Sequence, residues 1–136
     1  MDGERWSRAQ LFQKQPPLPW SDIIIGVKNK LEELYAEYKY DYVLMNYYRD
    51  GNDWISFHRD DEAVADDKNI IASLSFGASR IFQVIPSKGK TSIKYEYKLK
   101  HGSLIVMRGD MQKNWKHGIP KDASQQPRIN LTFRKS

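Results

Sequence analysis

From residue 42 to its C-terminus the chain is cut into short runs of β-branched and aromatic residues, most of them closed by a glycine-bearing turn. The runs fall at 42–48, 53–58, 70–76, 79–86, 91–99, 103–108, 115–118 and 128–134. Asp50-Gly51, Gly77, residues 87–89, Gly102 and Gly109 bound them. Val, Ile, Phe, Tyr and Thr suit a pleated, half-buried surface, and runs of this length between turn residues read as strands. Eight short strands in series predict a β-sandwich or barrel. Ahead of them, Ser21 suits the N-cap of a helix reaching about residue 38. Val27, Leu31, Leu34, Tyr35 and Tyr38 recur at three- and four-residue steps and mark its buried face, with Lys28, Lys30, Glu32 and Glu33 on the wet side. The expected class is therefore mostly β (α+β), with one N-terminal helix packed outside the strands.

No internal repeat, low-complexity tract or linker divides the 136 residues, so one domain over 1–136 is expected, large enough to bury a core. The absence of cysteine excludes disulfides, zinc–thiolate sites, iron–sulfur clusters and cysteine nucleophiles. Asp2, Glu4, Arg5 and Arg8 interrupt the N-terminus where a signal peptide would carry an apolar core, and runs such as Leu104-Ile105-Val106-Met107 are far too short to span a bilayer. An intracellular monomer, in the nucleus or cytoplasm and away from membranes, is expected. The net charge of +5 favours approach to polyanions, although many soluble proteins carry such a charge for solubility alone.

Two pieces of sequence carry metal-binding chemistry. Strand side chains alternate faces, so His58 and Asp60 converge on one face at a strand end. A third ligand must come from His101 or His117, the other two histidines. His101 precedes Gly102-Ser103 and has the look of a turn residue; His117 follows Trp115 in an aromatic-flanked stretch that suits a ligand in a packed wall. Two imidazoles and a carboxylate form the facial set of non-heme Fe(II) oxygenases. A His-x-Asp alone also fits a hydrogen-bonded pair in a turn. The last strand adds a second signal: Arg128, Asn130, Thr132 and Arg134 share one face, and Ile129, Leu131 and Phe133 the other. A solvated polar face explains the alternation but not why two arginines bracket Asn and Thr. Two guanidinium forks suit a small dicarboxylate such as 2-oxoglutarate, and Asn46 and Tyr48, again i and i+2, add an amide and a phenol.

Taken together, Asn46-Tyr47-Tyr48 with Asp50-Gly51, His58-Arg59-Asp60-Asp61-Glu62, Ile71-Ala72-Ser73-Leu74-Ser75-Phe76-Gly77, His101-Gly102-Ser103-Leu104, Trp115-Lys116-His117-Gly118-Ile119-Pro120 and residues 127–135 resemble the AlkB-type Fe(II)/2-oxoglutarate dioxygenases, in that family's order and over about residues 18–136. The eukaryotic DNA-repair branch is the most similar. The resemblance implies a double-stranded β-helix (jelly roll). It implies Fe(II) held by His58, Asp60 and His117, with 2-oxoglutarate and O2 as cosubstrates. Arg128 would clamp the distal carboxylate of 2-oxoglutarate and Arg134 the carboxylate beside the ketone, in a pocket lined by Asn46, Tyr48, Asn130 and Thr132. Glu62 falls where the family places an acid facing the substrate base, and His101 where it places a residue outside the metal site.

The implied activity is oxidative demethylation of bases such as 1-methyladenine and 3-methylcytosine in DNA or RNA. It is coupled to conversion of 2-oxoglutarate to succinate and releases formaldehyde. The implied partner is nucleic acid with a single-stranded or flipped base. The family carries a nucleotide-recognition lid ahead of this helix; here residues 1–20 are expected to hold a remnant of it (Arg5, Trp6, Arg8 and Phe12), or the chain is a truncated or minimal version. Two rival readings are an oxygenase of the same chemistry acting on protein or a small molecule, and a non-catalytic nucleic-acid-binding β-barrel.

Overall fold

In the computed structural model, described over residues 20–35, 39–60, 70–88 and 93–135, the short runs pair into two four-stranded antiparallel sheets. The strands are β1 (Tyr42–Tyr48), β2 (Ile55–His58), β3 (Ile71–Gly77), β4 (Arg80–Pro86), β5 (Tyr95–Leu99), β6 (Leu104–Met107), β7 (Trp115–Ile119) and β8 (Arg128–Arg134). One sheet has the order β1-β8-β3-β6 and the other β2-β7-β4-β5. Successive strands thus alternate between sheets at several points, as a jelly roll requires. A helix, α1 (Asp22–Leu34), precedes them, and a single turn, α2 (Met111–Asn114), leads into β7. No helix among the described residues is long and apolar enough to cross a membrane.

Two apolar clusters hold these layers. Tyr48, Ile55, Ile71, Phe82, Val84, Leu99, Met107 and Ile119 meet between the sheets. Leu31, Tyr40, Ile70, Ala72, Leu131 and Phe133 form the second, with Trp20, Ile24, Val27 and Tyr35 packed against it, so α1 covers the outer face of the first sheet. Strand β8 is central, paired to β1 on one side and β3 on the other. Its apolar side chains face the helix, and its polar face turns inward between the sheets.

Several expectations are corrected here. Helix α1 starts as read, with the Ser21 hydroxyl accepting from the Ile24 N–H at 3.3 Å, but it closes at Leu34 on the Tyr35 cap. Residues 36–38 lie outside the described residues. Leu34, expected inside, is 63% exposed. Glu32, expected on the wet side, is buried and accepts from the Tyr40 backbone N–H at 2.8 Å, with the Lys28 ammonium 3.0 Å away. The approach to β1 buries a backbone donor that no strand pairs, and a carboxylate on the adjoining helix turn satisfies it. Burial opposes the charge of Glu32, yet the Tyr40 N–H, Lys28 and Lys39 hold its pKa below the ordinary glutamate range. Strand β2 begins at Ile55, since Asp53 serves a turn: its carboxylate accepts from the Arg49 backbone and guanidinium. Strand β5 begins at Tyr95, and helix α2 was not anticipated.

Candidate active site

Strand β2 ends at His58, which stands opposite His117 in the register with β7, after an irregularity between Ile55 and His58. Gly118 lets the strands close at that irregularity: a Cβ there would lie 2.8 Å from the Ile55 carbonyl oxygen and 3.1 Å from the Phe57 nitrogen. The two imidazoles consequently face each other, ring centroids 4.4 Å apart. Asp60 follows just past the strand, 2% exposed. Its carboxylate oxygens lie 3.6 Å from His58 Nε2 and 3.3 Å from His117 Nε2. One ligand atom from each of the three lies within 4.8 Å of the others, and no other such group occurs among the described residues.

The geometry of this cluster suits a cation. His58 Nδ1 is 2.8 Å from the Ser56 carbonyl oxygen, which can only accept, so Nδ1 donates and Nε2 is the ring atom that faces the cluster. His117 is stacked on Phe82, centroids 5.3 Å apart, and burial pushes its pKa below the ordinary histidine value despite Asp60. Burial disfavours the Asp60 anion, but the His117 and His58 rings beside it and the charge of Arg134 hold its carboxyl well below the usual range. Two imidazoles and one carboxylate match the donor set of non-heme Fe(II).

The polar face of β8 continues the site. Register places Asn46 opposite Asn130 and Tyr48 opposite Arg128 on β1, with Ser75 opposite Asn130 and Ser73 opposite Thr132 on β3. Asn46 Nδ2 donates to Asn130 Oδ1 at 3.1 Å, and Asn130 Nδ2 to the Ser73 hydroxyl at 2.7 Å. Thr132 Oγ1 donates to the Leu44 carbonyl at 3.4 Å. Arg134 lies on Asp60, Nη1 and Nη2 each 3.2 Å from Oδ1, and its Nε donates to Thr132 Oγ1 at 3.3 Å. Arg128 is 2% exposed: Nη2 donates to the Ser75 hydroxyl at 2.8 Å, while Nε and Nη1 are buried with no hydrogen-bond partner. Burial lowers its pKa, against the pull of Tyr48. A buried guanidinium with unpaired N–H donors is costly unless a ligand meets it, and a carboxylate is the group whose geometry fits the fork.

Every described residue expected for the site lines one cavity: Asn46, Tyr48, His58, Asp60, His117, Arg128, Asn130, Thr132 and Arg134. Glu62 lies outside the described residues. His101 stays apart, its Nδ1 accepting from the Gly77 N–H at 2.9 Å. Residues that sequence reasoning missed are Ser73 and Ser75, which orient Asn130 and Arg128; Phe82, which backs His117; and Gln112, hydrogen-bonded to Asp60. Two serines at i and i+2 within an apolar strand were a legible signal; nothing local marks Phe82 or Gln112.

A jelly roll that brings two imidazoles, a carboxylate and a guanidinium with two unpaired N–H groups to one cavity defines a 2-oxoglutarate-type oxygenase. The model of the 2OG-Fe(II) oxygenase superfamily matches residues 1–134. The chain belongs to that superfamily, and within it to the AlkB type. It is 37% identical over 128 residues to the alpha-ketoglutarate-dependent dioxygenase alkB homolog 3 of Mus musculus, covering 88% of this chain and 44% of that protein. It is 39% identical over 126 residues to the DNA oxidative demethylase ALKBH2 of Mus musculus, covering 88% and 52%, and 37% identical over 118 residues to that of Arabidopsis thaliana, covering 71% and 38%. The chain thus spans about half the length of the curated relatives it matches.

Proposed function

We propose that this chain dealkylates nucleobases oxidatively, acting on bases such as 1-methyladenine and 3-methylcytosine in DNA or RNA. The observation that carries the reading is the buried Arg128 fork, its Nε and Nη1 without partners, in the same cavity as the His58–Asp60–His117 cluster. The printed names of the relatives, a dioxygenase and a DNA oxidative demethylase, support it.

His58, Asp60 and His117 would hold Fe(II). When bound, iron and 2-oxoglutarate supply with O2 the oxidising power to hydroxylate a base N-methyl group, so that formaldehyde and succinate are released. The protein's part is placement. Arg128 receives the distal carboxylate of 2-oxoglutarate, and Tyr48, against its guanidinium, limits its freedom. Arg134, already on Asp60, receives the carboxylate beside the ketone next to the metal. Asn46, Asn130 and Thr132 close the pocket wall, and the sheet interior excludes bulk water. Glu62 would meet the exocyclic amino group of the base. A base inside a duplex is out of reach, so the substrate is single-stranded or flipped, and the positive net charge favours its approach. We place the protein inside the cell, in nucleus or cytoplasm, as a monomer.

The test is incubation of the protein with Fe(II), 2-oxoglutarate and single- or double-stranded oligonucleotides bearing either methylated base, followed by mass spectrometry. Loss of the methyl group with stoichiometric succinate is expected. Conversion of 2-oxoglutarate with every oligonucleotide unchanged would transfer the reading to a protein or small-molecule substrate.

A further inference from the structure

Asp60 stands beyond the last paired residue of β2, where the ladder with β7 has ended. Its buried backbone N–H lies beyond the described ladder. It donates instead to Gln112 Oε1, at 2.8 Å. Gln112 is itself buried, on α2, and its other arm, Nε2, lies 3.6 Å from the sulfur of Met107. The direction of the amide is forced: only its oxygen can accept from an N–H, and the nitrogen is left for a weak thioether acceptor. Arg59 docks on the same turn, Nη1 donating to the Lys113 carbonyl at 3.4 Å. The stretch from Gln112 to His117 thus serves two ligands at once. It carries His117 on β7 and grips Asp60 through Gln112.

We infer that Gln112 is a positioning residue of the metal centre, fixing the Asp60 carboxylate against the two imidazoles before any metal arrives. The inference rests on the proposed reading of His58, Asp60 and His117 as ligands. Without an acceptor at position 112, the buried Asp60 N–H loses the bond that it makes to Gln112, at a cost. The simplest relief is rotation of the 59–60 peptide, which swings the carboxylate off the metal position. Groups that orient ligands from behind commonly control metal affinity by ~10–100-fold.

The test is titration of the full chain with Co(II), a spectroscopic probe for the site, in wild type, Gln112→Leu and Gln112→Glu. Gln112→Leu is expected to bind Co(II) ~10-fold or more weakly, with shifted visible bands, while circular dichroism shows the metal-free protein folded. Gln112→Glu still offers an oxygen to the Asp60 N–H and is expected to keep most of the affinity. Wild-type affinity and bands in folded Gln112→Leu overturn the inference. If Gln112→Leu does not fold, Gln112→Glu decides, and loss of Co(II) binding by folded Gln112→Glu overturns it. If neither variant folds, Gln112 supports the fold as a whole and the inference is overturned as well. A wild type that takes up no Co(II) sinks the reading of the triad, and the inference with it; binding by wild type and Gln112→Leu alike sinks the inference alone.

Discussion

Tyr48 and Arg128 stand directly opposite each other on β1 and β8, and the Arg128 guanidinium carbon lies 4.9 Å from the centre of the Tyr48 ring. Arg80, buried and tied to the Asp50, Asp53 and Pro120 carbonyls, approaches the same ring at 5.4 Å. Stacking of planar cations on a phenol holds the Arg128 fork while leaving its Nε and Nη1 for a ligand. Lysine carries the charge but neither the plane nor the fork. Arg128→Lys should therefore raise the apparent KM for 2-oxoglutarate ~10-fold or more, for a lost charge-assisted hydrogen bond worth ~1.5–3 kcal/mol. An unchanged KM in steady-state succinate assays would mean that Arg128 does not meet the cosubstrate.

His117→Ala should abolish turnover and Fe(II) uptake, since it removes the imidazole that faces both His58 and Asp60. His101→Ala should leave both largely intact, because His101 is bonded to the Gly77 N–H away from the cluster. Equilibrium metal binding with each variant checks the pair, and the reverse result would reassign the ligand set.

Gly118→Ala should strain the seam between β2 and β7. The added methyl would sit 2.8 Å from the Ile55 carbonyl oxygen, and the three nearest atoms are all backbone, which cannot swing aside. A loss of ~1–3 kcal/mol in urea unfolding is expected, as for other overpacked sites. Because the seam sets the distance between His58 and His117, metal affinity should fall with it.

Glu32 contributes a pH-dependent share of stability. Its pKa is lower folded than unfolded, so the contribution is full above the unfolded value of about 4.3 and is lost as pH falls through the lower, folded value. Glu32→Ala should cost ~1–3 kcal/mol at neutral pH, through the Tyr40 N–H left buried. Denaturant melts at descending pH should show the gap between wild type and variant narrowing only in the acid range; a gap independent of pH would remove the charge from the account.

Glu62→Ala should depress demethylation of a methylated oligonucleotide and spare the slow, substrate-free conversion of 2-oxoglutarate to succinate. Equal losses in both, measured on one preparation, would move Glu62 from base recognition to the metal or cosubstrate site.

Local periodicity was enough to place the strands. Alternation in 128–134 separated Arg128, Asn130, Thr132 and Arg134 from Ile129, Leu131 and Phe133, and the i, i+2 spacing joined His58 to Asp60 and Asn46 to Tyr48. Pairing of those runs with the AlkB pattern then named the cavity's walls. All of this depends on neighbours along the chain, which a sequence displays directly.

Which face of a strand turns inward, and what a buried donor finds there, depends on neighbours across the fold. The polar face of β8 is interior because β8 is flanked by β1 and β3 and its apolar side is taken by α1. Glu32 left the wet face it was assigned because the Tyr40 N–H needed an acceptor. Gln112, 52 positions from Asp60, reached it only because α2 comes to rest beside the end of β2. Periodicity reports the direction of a side chain relative to its own backbone. A hydrogen bond needs two groups within about 3 Å, and only the tertiary structure sets that distance for residues so far apart in sequence.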